Sequence, residues 1–296
     1  MLFLRISMLD INQKVLIMKK TVLFCSTVCC ILFLSSCFND RSYSYHEYGL
    51  DRPVKSVEVK TYKANSKFGE VVKDDITETY SVEFNSVGNA LKHTDFNANG
   101  DIASVLKCRY DDNDNLVENS VYDSEGDLMI RLVNDYEGNK VVKSTTVLTY
   151  MESVYITDFK YNGDYVEEET CYIDGELSSK LKYTRNDKSG REWIRYSADG
   201  EEESRGVMEL NKDGKITKYS IGDDKVCEMV WNEKKLPCYL RRAELYNNTM
   251  FSFDLEEDRE FYVEYEYDKK GNWIKQIVFE GENKIPVSIS ERVIEY

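Results

Sequence analysis

The chain has 296 residues and carries 54 acidic against 39 basic side chains, a formal net charge of −15. That sign excludes binding to the nucleic-acid backbone, where lysine and arginine must displace counterions. A hydrophobic share of 42% excludes general disorder, and 22 tyrosines with only 3 prolines favour strands.

The first element is an address. Met1–Ile17 fits a signal sequence badly because Asp10 and Gln13 interrupt it, so Met18 is expected as the true start and residues 1–17 as an upstream extension. Lys19 and Lys20 then precede an apolar run from Thr21 to Leu34, closed by Ser35, Ser36 and Cys37. A basic start, a short apolar run and small residues make a secretory signal over 18–36. The run falls short of the ~20 residues of a comfortable spanning helix. Leu34-Ser35-Ser36-Cys37 resembles the lipobox of bacterial lipoproteins. The resemblance implies cleavage before Cys37, lipid on its thiol and acylation of the new amino group. An uncleaved anchor and an ordinary signal peptide are the competing readings. Phe38 lacks the aspartate that resembles an inner-membrane retention signal, so the outer membrane is the expected location, with its face left open.

Removing residues 1–36 takes away four basic and one acidic side chains and leaves a net charge of −18. Cys108, Cys171, Cys227 and Cys238 lack the paired spacing of a zinc site and are expected as free, buried thiols. If Trp231 faces Leu236, Cys227 lies opposite Leu240 and not Cys238.

Residues 37–52 read as a polar tether and 53–296 as one β-hairpin repeat domain. Val54–Tyr62 and Ile76–Phe84 alternate at period two, as half-buried strands do. A unit then returns: aromatic, Asn or Asp, two polar residues, glycine, polar, aliphatic. Phe84, Phe96, Tyr110, Tyr122 and Tyr136 stand 12, 14, 12 and 14 residues apart, a two-hairpin period of 26. Tyr122-Asp123-Ser124-Glu125-Gly126-Asp127-Leu128 is its clearest copy. Gly126 fits the left-handed position closing a three-residue loop, and Asp123 suits turn entry by accepting from amides two residues on. Tyr122 faces Leu128 across the loop, a pair of a kind that contributes roughly 0.2–1 kcal/mol.

Leu128, Ile130, Leu132 and Tyr136 are expected on one face of the next strand. Met129, Arg131, Val133 and Asp135 take the other, which is the face on which to seek contacts, near Arg131 and Val133. From Phe159 the turns shorten to Asn162-Gly163 and Asp174-Gly175, placing Phe159 opposite Val166 and Tyr172 opposite Leu177. The last unit, Tyr267–Trp273, leads into Lys275, Ile277 and Phe279 on Trp273's face, and a final strand ends at Tyr296. No helical period follows the signal. The expected fold is an all-β antiparallel meander of tandem β-hairpin repeats forming an extended, curved or partly rolled sheet.

Tyr122–Leu128 and Tyr267–Trp273 resemble the YD repeats of Rhs-type bacterial surface proteins, and the similarity runs in degenerate form from Phe84 to Tyr296. Tyr110, Tyr136 and Trp231 depart from the pattern in glycine, spacing or aspartate. The resemblance implies a long antiparallel sheet and an envelope or surface role, with carbohydrate binding associated with such repeats and no binding residue to carry over.

Chemical motifs are sparse. His46 and His93 sit in no metal-ligand spacing, and no nucleophile elbow or phosphate-binding glycine loop occurs. Ser179–Lys182 matches Ser-x-x-Lys without its companion motifs. Asp111-Asp112-Asn113-Asp114-Asn115 alternates oxygen ligands, but Leu116 and Tyr122 stand where a calcium loop needs glycine and glutamate, so a hairpin turn is the better reading. No catalytic, cofactor-binding or metal residue is assigned, and Cys37 is the single site named, for lipidation. The leading expectation is therefore a lipid-anchored, non-catalytic envelope protein that binds glycan or protein through a strand face. A structural or accessory subunit of an envelope complex comes second, and a carboxylate-dependent glycoside hydrolase third.

Overall fold

Turn chemistry divides the chain into strands whose two faces differ. A computed structural model describes residues 43–222, 225–246, 250–254 and 257–296, and Cys37 with the whole signal segment lies outside the described residues. The first run comprises β1 (Ser56–Lys67), β2 (Glu70–Phe84), β3 (Ala90–Phe96), β4 (Ile102–Tyr110), β5 (Leu116–Asp123), β6 (Leu128–Glu137) and β7 (Lys140–Leu148). A 3-10 turn at Thr149–Met151 leads to β8 (Ser153–Asn162), β9 (Tyr165–Ile173), β10 (Glu176–Asp187), β11 (Gly190–Ser197) and β12 (Glu202–Leu210). Next come β13 (Ile216–Ile221), β14 (Val226–Trp231) and β15 (Pro237–Arg241). A separate two-stranded hairpin, β16 (Ala243–Tyr246) and β17 (Met250–Phe253), is inserted before β18 (Glu260–Tyr267), β19 (Trp273–Glu280) and β20 (Ile285–Glu295).

The antiparallel meander is as expected; the open, partly rolled sheet is not. All 18 strands of the main sheet pair in chain order, β15 pairs past the insertion with β18, and β20 returns to pair with β1 from Ser56↔Glu295 to Lys63↔Ser288. The sheet closes on itself as a barrel, and closure removes the two unpaired edges that an open sheet of this size would expose. The end at which β1 begins and β2 turns into β3 is termed the near end, and the opposite one the far end.

The repeat unit is a hairpin tip as expected. Tyr122 pairs with Leu128, Asp123 N–H donates to Asp127 C=O, and Gly126 closes the turn at φ +90°. Asp123 Oδ1 accepts from the amides of Glu125 and Asp127. Beside most tips the register slips by one residue, as between Val121 and Tyr122 or between Arg109 and Tyr110. These bulges reset which face the next residue takes. Ile130 and Leu132 point inward and are buried, whereas Leu128 beside the bulge turns outward to face Tyr122, whose ring meets Lys107. Tyr122 thus shares the outer face with Arg131, which corrects the expected separation of the two.

Three further registers differ from expectation. The loop after β8 is Gly163-Asp164, with glycine first at φ +60°, so Tyr161 and not Phe159 faces Val166. Tyr172 does face Leu177, around Asp174-Gly175. A bulge before Trp273 turns that ring inward while Lys275 stays outside beside Glu266. Trp231 pairs with Pro237, so Met229 faces Leu240 and the buried Cys227 thiol approaches the Arg242 carbonyl instead.

The outer wall carries charged pairs beside the near-end turns. Cross-strand partners of opposite charge repeat around it: Glu83 with Lys92, Glu118 with Arg109 and Arg131, Glu209 with Lys218, and Glu266 with Lys275. Inside, Val57, Val59, Val82 and Val278 are fully enclosed, while Val133 and Val293 stand on the outer face.

Candidate functional site

The tether is not wholly a tether. Its three tyrosines and one leucine between residues 43 and 50 match the apolar character of the barrel interior, and the chain from Tyr43 to Asp51 packs across the near end as a strap. Ser44 bridges to Asn89, Ala90 N–H donates to Tyr43 C=O, and Tyr45 N–H donates to Gly88 C=O. A Cβ on Gly88 would stand 2.3 Å from the Tyr45 ring, so glycine serves both the turn and the strap's seat. Asn119 of β5 donates to the Tyr43 hydroxyl on one side, and Asn272 accepts from Asp51 N–H on the other. Leu50 joins Val54, Val57, Val59, Val82 and Phe84 in one core cluster.

Beneath the strap runs a polar chain on the inner wall. Tyr48 Oη lies 3.4 Å from His93 Nδ1, His93 Nε2 lies 3.0 Å from Asp95 Oδ1, and Ser104 Oγ donates to Asp95 Oδ2 over 2.6 Å. Tyr80 stacks on the His93 ring at 4.8 Å. Burial pushes the Asp95 carboxyl up, but the bonds from His93 and Ser104 outweigh it and hold the group below the usual carboxylate range. Ser104 donates to Asp95 and not to His93, so the imidazole is not placed to take the serine proton, and the group is no nucleophilic triad. Burial also pushes the Cys108 thiol up to about 12 and the Cys227 thiol up to about 11, far from thiolate reactivity at neutral pH.

A second stretch of inner wall, formed by β8 to β13, is less filled. Its inward residues Thr157, Cys171, Tyr183, Trp193 and Tyr219 are partly exposed, unlike the fully enclosed valines of β1, β2 and β19. Trp193 pairs with Gly206, and a Cβ on that glycine would lie 2.1 Å from the indole, so the ring rests flat on the β12 backbone. Tyr219 stacks beside it at 5.8 Å with 30° between planes. Among the described residues the indole N–H of Trp193 has no acceptor, whereas Trp231 N–H donates to the Ile216 carbonyl. Nearby on the same wall, Tyr183 donates to the buried Glu169 carboxylate over 2.8 Å, and Arg195 donates to Ser179 over 3.2 Å. An aromatic surface with polar groups at its rim can stack on an apolar ring face and bond its hydroxyls.

The residues singled out from sequence fall elsewhere. Asp111–Asn115 is a turn in which Asp111 Oδ1 accepts from the amides of Asn113 and Asn115 and Oδ2 from the Asn115 side chain. No group of three potential metal ligands converges among the described residues. Arg131 lies on the outer wall, paired with Glu118, and Val133 on the same face. His46 lies against the Tyr45 ring at a tilt of 36° within the strap. The signals that could have found the inner wall were an isolated glycine within a strand pattern, Gly206, which marks close approach, and the tyrosines of the supposed tether.

No protein-family profile matches the chain. No functionally curated protein matches it either. Solved structures similar to it include a porin-like protein from Bacteroides uniformis, at 12% identity and a TM-score of 0.40 over 82% of this chain and 97% of that one. A porin-like protein from Bacteroides vulgatus matches at 12% identity and a TM-score of 0.37, over 82% and 98%. A DUF1329 family protein from Desulfovibrio piger matches at 10% identity and a TM-score of 0.17, over 82% and 86%.

Proposed function

We propose that the chain is a lipid-anchored envelope protein that binds a neutral glycan, without catalysis, on the inner wall of its barrel. The lipobox-like Leu34–Cys37 supports the anchor, placed at the outer membrane, and the charged outer wall supports a barrel that stands in water beside the membrane. The observation that carries the ligand class is Trp193, laid flat on Gly206 beside Tyr219 with its N–H unengaged. A sugar's C–H face stacks on such a ring, and Tyr219 and Arg195 stand where hydroxyls could be bonded.

The mature protein applied to a glycan array, with Trp193→Ala as control, tests this reading. Binding that disappears in the variant supports it; an array without hits, or hits that the variant retains, removes it. Cys37→Ser tests the anchor separately, because the protein then moves from the membrane fraction to the soluble one.

One observation favours the second reading, an accessory subunit that docks on another envelope protein. Beyond Lys63 and Thr79 strands β1 and β2 pair only with each other, and the tip of this finger carries a fully exposed Phe68. A stable co-purifying partner lost on Phe68→Asn, together with an empty glycan array, would favour it.

A further inference from the structure

The inner wall holds a cation that the glycan reading leaves unused. Arg292 projects inward from β20 and is buried. Its guanidinium carbon lies 3.3 Å from the centre of the Trp273 ring, and Nη2 donates to the Tyr48 carbonyl of the strap over 2.5 Å. Nε and both hydrogens of Nη1 have no acceptor.

No carboxylate among the described residues pairs with Arg292. The groups facing it are the phenols of Tyr80 and Tyr265, both kept neutral by burial. Asp95, on the neighbouring part of the wall, is engaged by His93 and Ser104. Thr61 and Ser290 bond each other at 3.0 Å, and Gln276 donates to the Tyr265 hydroxyl over 3.3 Å. Burial pushes the guanidinium down to about 10, so it remains charged at neutral pH. An unpaired buried charge is strongly destabilising, and three unmet donors add to that. A cation kept under those conditions, flat against an aromatic ring and flanked by two neutral hydroxyls, has the composition of an anion receptor.

We propose that Arg292 anchors an internal site for a small carboxylate, with Trp273 as its floor and the Tyr48 backbone as its roof. The planar carboxylate matches the guanidinium fork, taking Nε and Nη1, while the Tyr80 hydroxyl donates to a remaining lone pair and the Tyr265 hydroxyl stays bonded to the Pro237 carbonyl. Because Arg292 is buried, the occupant is a small carboxylate, either a free ion or the acid end of a slim chain. Because the same guanidinium holds the Tyr48 carbonyl, occupancy also fastens the strap that leads to Cys37.

The test is thermal unfolding of the mature protein at constant ionic strength in formate, acetate, butyrate and chloride. Formate and acetate are expected to raise the melting temperature by roughly 5 °C or more at saturation, a shift that chloride does not give. Butyrate acting as well as acetate identifies the acid end of a chain as the source, and butyrate without effect identifies the free ion; both outcomes support the site. Arg292→Met, which keeps the stem volume and removes the fork, is expected to lose the response. If that variant does not fold, titrating formate into wild-type protein labelled at arginine must shift the Arg292 Nε–H resonance and slow amide exchange of residues 43–52. Equal responses to chloride and carboxylates, no response at all, a response retained in Arg292→Met, or an Nε–H resonance that formate leaves in place would each overturn the proposal.

Discussion

The Tyr136 hydroxyl donates to the Leu116 carbonyl over 3.0 Å, reaching back across the sheet to the residue that follows the preceding near-end turn. The same bond joins Tyr110 to Ala90 and Tyr161 to Val141, at 3.0 Å in each case. Asn186 makes the equivalent bond to Val166, and Trp231 to Ile216. Each carbonyl lies at a bulge, so the side chain helps to satisfy a backbone group beside the break in the ladder, and at Leu116 the Asn134 amide donates as well. Tyr136→Phe removes the donor and keeps the ring. Equilibrium urea unfolding should show a loss of about 0.5 kcal/mol, because Asn134 still donates to that carbonyl, whereas Tyr110→Phe should cost about 1 kcal/mol and add to it, since the two bonds share no partner.

That ladder separates what the residues declared from what they hid. The spacing of Tyr110, Tyr122 and Tyr136, with Gly126 and Asp123, announced hairpins and their turn chemistry, because turns are local and one dipeptide fixes them. Closure was not legible. It rests on β1 pairing with β20, whose residues are more than 200 positions apart, and no local pattern records a pairing that distant. Faces were misassigned wherever a bulge intervened, as at Leu128 and Trp273, since one extra residue inverts a period-two pattern. Arg292 hid for another reason. In Ser288-Ile289-Ser290-Glu291-Arg292-Val293 the serines and the arginine point in while Val293 is exposed, the reverse of the usual alternation. A lumen lined partly by polar groups makes hydropathy a poor guide to which face is inside.

Phe68 occupies a turn position that suits another residue. It has φ +55° and Gly69 has φ +84°, the paired left-handed geometry for which Asn-Gly is the favoured dipeptide. A left-handed backbone at a residue with a Cβ costs roughly 1–2 kcal/mol, and the exposed ring makes no contact to offset it. Phe68→Asn should therefore raise the melting temperature by roughly 2–4 °C. A melting point that stays or falls would mean the ring stabilises the finger in a way its exposure does not show.

Glu118 ties the outer wall together and should title the acid limb of stability toward lower pH. Hydrogen bonds from Arg131 first, then Arg109, hold its carboxyl at about 2, against an ordinary glutamate near ~4.3. A depressed folded value means the contribution is fully present above the unfolded value and is lost as pH falls from about 4 through 2. The arginines are largely exposed, so solvent screening limits the effect to a fraction of a kcal/mol. Urea midpoints of wild type and Glu118→Gln should differ at pH 6 and converge near pH 2. A constant difference across that range would show that packing, not charge, carries the role of Glu118.

Gly206 is where fold and proposed function can be separated. The backbone there is extended and tolerates a side chain, so the cost of Gly206→Ala comes only from the 2.1 Å approach of the new Cβ to the Trp193 indole. Overpacking of this kind costs roughly 1–3 kcal/mol, less than the stability of an ordinary domain of roughly 5–15 kcal/mol, so the barrel should still fold. The indole must lift from β12 and lose its alignment with Tyr219. Circular dichroism should stay that of the wild type, Trp193 fluorescence should shift as the ring leaves its bed, and retention on the array glycans should fall at least tenfold. Trp193→Ala should lose the same binding without strain, and the double variant should bind no worse than either single one. If Gly206→Ala binds as wild type while its fluorescence has shifted, the flat indole is a packing element of the barrel and not its binding surface.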